Sequence, residues 1–74
     1  VFCDTQEEID FYWNKLTDGG EESQCGWLKD KFGLSWQVVP TVLSKLLSDP
    51  TKAGRVTNAF LQMKKFDIEK LMNA

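Results

Sequence analysis

Apolar residues recur along this chain with two different periods. Ile9, Tyr12, Trp13 and Leu16 fall at i, i+3, i+4 and i+7, which is one face of a helix. Asp4-x-x-Glu7 and Thr5-x-x-Glu8 both have capping-box spacing, so the helix begins at Asp4 or Thr5, and acids in its first turn suit the helix dipole. Gly19-Gly20 ends it, because glycine takes the left-handed conformation past a helix end without steric cost. Ahead of it, Val1–Cys3 is a short apolar piece predicted as a strand.

After the glycines the helical period disappears. Glu21–Asp30 predicts a short strand, a bend near Gly26 and a second strand through Trp27 and Leu28. Asp30–Gly33 reads as a turn, with Gly33 available for positive φ. Leu34–Val39 is rich in β-branched and aromatic residues and predicts a strand, closed by Pro40, which cannot donate to a sheet ladder. Alternation puts Leu34, Trp36 and Val38 on one face and Ser35, Gln37 and Val39 on the other. The first set is the more hydrophobic, and the helix stripe needs an apolar sheet face to cover. Trp36 is therefore expected beneath the first helix, with Ser35 and Gln37 on the opposite face.

The helical period then returns. Val42, Leu43, Leu46 and Leu47 mark a helix over 41–47. Ser48-Asp49-Pro50 is a cap followed by proline, which predicts a new helix running to about Lys65, with Val56, Ala59, Phe60 and Met63 as its stripe and Gly54 as a weak point. Asp67 caps a last short helix carrying Ile68, Leu71 and Met72. The order is β-α-β-β-β followed by helices, an α+β chain with a module over residues 1–40 and a helical extension over 41–74.

At 74 residues the chain holds one domain at most. A domain this small has a marginal core, and pairing with a second copy is a common remedy. The apolar runs are far too short to span a bilayer and no signal peptide is visible, so the expectation is a cytoplasmic protein without membrane contact. The abrupt start at "VFCDT" reads as the end of a strand, and a fragment is expected.

Charge changes the picture little. The net charge is −2, with a balance of −6 over residues 1–30 and +4 over 31–74. No aromatic residues interleave with the basic ones, so no nucleic-acid partner is expected, and the charges read as solvated helix faces. Cys3 and Cys25 could form a disulfide if strands place them together; standing outside any C-x-x-C motif and without a secretory signal, they are expected to be free, buried thiols.

Candidate chemistry is sparse. The chain has no histidine, which removes the commonest general base and any Ser-His or Cys-His pair. Gly19-Gly20 follows a helix, whereas phosphate-binding and methyl-donor loops put glycines after a strand. The adjacent acids Glu7-Glu8 and Glu21-Glu22 read as helix-start and surface acids, not as a tuned acid/base pair. Gln37 can orient a ligand by donating and accepting hydrogen bonds, but it cannot act as a base and is a poor metal ligand. Its other reading is a residue that faces solvent or a partner chain.

The β-α-β-β-β order ending in "WLKDKFGLSWQVVP" resembles the vicinal oxygen chelate superfamily, the glyoxalase and bleomycin-resistance fold. More closely, "CDTQEEID", "GGEESQCGWLKDKFGLSWQVVP" and "LQMKKFDIEKL" resemble the PhnB-like group, whose members often carry the name demethylubiquinone methyltransferase domain. The resemblance implies two β-α-β-β-β modules making one cleft. This chain has one module, so the expectation is either the C-terminal half of such a protein or a homodimer in which two chains supply the cleft. Metal sites in the superfamily use a histidine or glutamate from each module. The matching strand position here is Gln37, so no catalytic metal and no other cofactor is expected. The resemblance implies a cleft for an unknown small molecule lined by Gln37, Ser35 and Trp27. The alternative it leaves open is an enzyme, either the methyltransferase of the family name or a metal-dependent lyase or dioxygenase.

Overall fold

The computed structural model describes all residues, 1–74. Elements follow in the order β1 (Phe2–Cys3), α1 (Gln6–Thr17), β2 (Glu21–Glu22), β3 (Trp27–Lys29), β4 (Ser35–Gln37), β5 (Val39–Pro40), α2 (Val42–Ser48), α3 (Ala53–Leu61) and α4 (Ile68–Met72). This is an α+β fold, as the two periods predict.

Of the two candidate caps of α1, Thr5 takes the role. Its hydroxyl accepts from Glu8 N–H at 3.2 Å, and Glu8 Oε1 accepts from Asp4 N–H at 3.1 Å, so two orphan donors are satisfied reciprocally. Asp4 instead accepts from the Thr41 hydroxyl at 2.9 Å, which ties the start of α1 to the chain leaving β5. Gly19 adopts φ +77° just past the helix end. Gly20 is needed for a different reason: a Cβ there would stand 2.0 Å from Lys29 O, so only glycine lets β2 approach β3. Ile9 and Trp13 are buried and Leu16 half-buried, but Tyr12 is exposed. The sheet beneath is short, and the edge of the stripe overhangs it.

The expected strand over 34–39 is two strands. β4 pairs antiparallel with β3 (Trp27↔Gln37, Leu28↔Trp36, Lys29↔Ser35), and β3 with β2. β5 pairs on its other flank, parallel to β1 (Phe2↔Val39, Cys3↔Pro40). Val38 joins them, its N–H donating to Gly26 O at 2.9 Å. The strands thus form two small sheets, β1-β5 and β2-β3-β4, that meet at Val38. Pro40 does not stop this strand. Val39 N–H donates to Val1 O and Thr41 N–H to Cys3 O, both in the β1 ladder, so proline occupies the position whose donor the ladder does not use. Leu34 lies in the turn and is exposed, outside the face it was assigned to.

The three C-terminal helices pack on one another and share one core with α1 and the sheet. α3 ends at Leu61, four residues before the expected end near Lys65. The carbonyls of Met63 and Lys64 accept from Cys25 and Gly26 N–H, at 2.8 and 2.7 Å, and these tertiary bonds hold the chain beyond α3 against the turn before β3. Asp67 caps α4 by accepting from Lys70 N–H at 3.1 Å. Leu71 is buried, while Met72 is exposed.

Cys3, Ile9, Trp13, Leu28, Val38, Val56, Phe66 and Leu71 form one core that spans the sheet, α1 and the C-terminal helices. Each such side chain contributes roughly 1.5–3 kcal/mol by leaving water. Only 10 of 74 residues are buried, so much of the sheet has no cover. Both cysteines are free thiols; Cys3 is buried, whereas Cys25 is only half-buried. No helix is long and apolar enough to cross a membrane.

Candidate functional site

Side chains alternate across the three-stranded sheet, and the register decides which ones share a face. Leu28 and Trp36 are cross-strand partners on the side covered by α1. Leu28 is buried, and Trp36 is half-buried with its indole N–H donating to Asp30 Oδ2 at 2.8 Å. Glu22, opposite Leu28, accepts from the Trp13 indole at 2.9 Å and so locks α1 to the sheet.

The other face carries the three residues singled out from the sequence. Trp27 stands opposite Gln37, and Lys29 opposite Ser35. Glu21, opposite Lys29, extends the same face. Trp27 is 46% exposed, an unusual state for an indole on a sheet. Ser35 and Lys29 are exposed and Gln37 is half-buried. The sheet thus presents an indole, an amide, a hydroxyl and one pair of opposite charges on an uncovered surface. Sequence reasoning missed Lys29 and Glu21 here. For Lys29 the signal was present, since it lies two residues from Trp27 on the same strand.

Gln37 does not stand free. Its Nε2 donates to the Cys25 main-chain oxygen at 3.1 Å. One amide hydrogen is used within the chain, and Oε1 has no protein partner. Since every buried side-chain polar atom is hydrogen-bonded, that oxygen faces solvent.

The donor set does not suit a divalent metal ion. Nowhere in the chain do three Asp, Glu, Cys or His side chains converge closely enough to hold one. On the uncovered face Glu21 is the single carboxylate, beside a neutral amide and a hydroxyl. The glycine pair does not suit a methyl-donor loop either, because Gly20 serves the close approach of β2 to β3.

A larger groove of about 930 Å³ runs between the start of α1 and α4, past Gln6, Asp10, Lys65 and Asp67. Four of its polar side chains, Gln6, Asp10, Lys65 and Asp67, are engaged within the chain. Gln6 Nε2 bonds Asp10 Oδ1 at 3.0 Å, the Lys65 ammonium lies 2.8 Å from the same oxygen, and Asp67 caps α4. The groove is the seam between α1 and the C-terminal helices.

A family model described as 3-demethylubiquinone-9 3-methyltransferase matches residues 1–39, from β1 to the start of β5. No curated protein matches the chain. With the match spanning more than half of the chain and every strand that carries the uncovered face, this chain belongs to the 3-demethylubiquinone-9 3-methyltransferase family, a family of the glyoxalase-like group.

Proposed function

We propose that the chain is a PhnB-like glyoxalase-superfamily module, of the C-terminal kind, that supplies one wall of a small-molecule cleft without a catalytic metal. One observation carries the reading: α1 covers one face of the sheet, and the other is bare with Trp27, Gln37 and Ser35 in register on it. An exposed indole beside hydrogen-bonding groups suits a ligand with a flat apolar part and a polar edge. A single wall makes half a cleft, and the opposite wall comes from an upstream module or, where this chain stands alone, from a second copy. The free thiols support a reducing compartment, the cytoplasm.

Sedimentation velocity tests the second copy, with a dimer expected and a well-folded monomer against it. Tryptophan quenching across a small-molecule collection tests the wall. Hits are expected to be lost on Trp27→Ala and kept on Trp36→Phe; hits indifferent to Trp27 count against it.

The family description favours a second reading, methyl transfer by an enzyme. Calorimetry with S-adenosylmethionine separates the two, and titration with Ni²⁺, Zn²⁺ and Mn²⁺ tests metal-dependent lyase chemistry. Heat of binding from any of them overturns the metal-free, non-catalytic reading.

A further inference from the structure

The segment between α3 and α4, residues 62–67, lies as a strap across the turn that precedes β3. Met63 O accepts from Cys25 N–H at 2.8 Å and Lys64 O from Gly26 N–H at 2.7 Å. Cys25 is the one non-glycine residue with a left-handed backbone, φ +57°. That conformation is unfavourable for a residue with a Cβ and persists only where surrounding contacts impose it. The strap imposes it here. Phe66 presses from the same side: a Cβ on Gly26 would stand 2.5 Å from the Phe66 ring, so the ring is seated directly on the turn. The far side of the strap is anchored by Gln6 on α1, which donates to Phe66 O at 3.0 Å and accepts from Ile68 N–H at 2.9 Å.

The turn held in this way aims the Cys25 carbonyl at Gln37 Nε2. A carbonyl can only accept, so this contact decides which way the amide points, nitrogen inward and Oε1 outward. We infer that the C-terminal strap is a positioning element for Gln37, acting through the Cys25 main chain, and that it presents the Gln37 Oε1 as an acceptor beside the Trp27 ring. The inference rests on reading that face as a ligand wall. It sets what a ligand brings to Gln37 Oε1: a donor, a hydroxyl or N–H, on the rim of a flat apolar group. Cys25 and Gln6 are positioning residues in this arrangement.

Proton exchange measured by NMR tests the coupling without any ligand. In the intact chain one Gln37 side-chain amide proton should exchange at least about fivefold more slowly than those of exposed Gln24. In Gln6→Ala the strap loosens. The Gln37 side-chain amide and the N–H groups of Cys25 and Gly26 should then accelerate together, while Leu28 and Lys29 in the neighbouring ladder hold. Phe66→Leu, which withdraws the ring from Gly26 and keeps apolar bulk, gives the same readout if Gln6→Ala fails to fold. A Gln37 amide as labile as Gln24 in the intact chain overturns the inference. So does one that stays protected while Cys25 and Gly26 open.

The ligand class is tested with benzyl alcohol and benzyl methyl ether as probes. The alcohol should shift the Gln37 side-chain resonances and the ether should not. Equal shifts from both overturn donor recognition. Shifts from neither remove the small-molecule reading and the ligand class with it, while the exchange measurement still judges the strap.

Discussion

The Trp36 indole N–H donates to one oxygen of Asp30 at 2.8 Å, while the other oxygen accepts from the main-chain N–H groups of Phe32, at 2.8 Å, and Leu34, at 3.0 Å. One carboxylate therefore closes the β3–β4 turn and fixes the indole on the covered face of the sheet. It also holds Phe32 and Leu34 pointing outward, 84% and 57% exposed. Asp30→Ala frees three donors at once. The Phe32 and Leu34 amides are expected to exchange about tenfold faster or more, with a red shift of Trp36 emission and no change at Leu28. Asp30→Asn keeps an acceptor oxygen and should fall between the two. Unchanged exchange at Phe32 and Leu34 in Asp30→Ala would contradict this account of the turn.

Acid should weaken the fold through three aspartates. The Lys65 ammonium and then the Gln6 amide hold Asp10 below the usual carboxylate range; the Trp36 indole and then the main-chain N–H groups of Leu34 and Phe32 hold Asp30 there; the Thr51 hydroxyl and N–H hold Asp49 there. A group whose folded pKa lies below its unfolded value of about 3.9 adds its stability in full above that value and loses it as pH falls through the folded pKa. Urea midpoints are thus expected to be flat from neutral to about pH 5 and to fall below about pH 4. Cys3 acts with the opposite sign. Burial first, and then the Glu8 carboxylate, push its thiol up. Its contribution is complete below the unfolded value of about 8.5 and is lost as pH rises through the folded one. The stability gap between the intact chain and Cys3→Ala should therefore narrow above about pH 8.5. A midpoint that rises between pH 5 and pH 3 would refute the acid limb.

Where local chemistry decides the outcome, the sequence was informative. The Thr5–Glu8 box, the Asp67 cap and the Gly19 stop act within a few residues, and each is where spacing put it. Alternation separated Trp36 from Ser35 and Gln37, because a pleated strand offers only two faces. What stayed hidden acts across long separations. Gln6 meets the backbone at Phe66 and Ile68, 60 and 62 residues away, and nothing in its neighbourhood announces this. The chain after α3 is tied by the N–H groups of Cys25 and Gly26 to the Met63 and Lys64 carbonyls, partners far apart in sequence. The division of 34–39 between two ladders depends on where β1 lies, and the strand's own residues do not record that.

Three glycine-to-alanine changes should separate three physical effects in urea unfolding followed by tryptophan emission. Gly26 has φ +78°, and a Cβ would lie 2.5 Å from the Phe66 ring and 2.7 Å from Val38 O, so strain and overpacking combine. Gly26→Ala is expected to cost about 2–5 kcal/mol. Gly33 has φ +83° with open space around it, which leaves only the backbone term of about 1–2 kcal/mol. Gly54 lies within α3 with nothing nearby and no positive φ. Gly54→Ala should stabilise the chain by about 0.5–1 kcal/mol. Equal costs at Gly26 and Gly33 would show that Phe66 is not seated where the structure has it.

Gln6 and Lys65 both reach Asp10, yet removing them should have unequal effects. The Lys65–Asp10 pair spans 2.8 Å between side chains 39% and 45% exposed, so water screens it and the long lysine loses entropy in holding it. Lys65→Ala is expected to cost about 0–1 kcal/mol, and less in high salt. Gln6 makes two main-chain bonds to the strap in addition to its bond to Asp10, all in a partly buried setting. Its loss leaves Phe66 O and Ile68 N–H without their partner where water reaches them poorly. Gln6→Ala should cost about 1–3 kcal/mol with little salt dependence. Gln6→Glu keeps the acceptor for Ile68 N–H but loses the donor to Phe66 O and sets a second carboxylate beside Asp10, so it should recover little at neutral pH and more below about pH 4. If Lys65→Ala proved the more damaging, the strap would be held by charge, and raising the salt concentration would loosen it even in the unmodified chain.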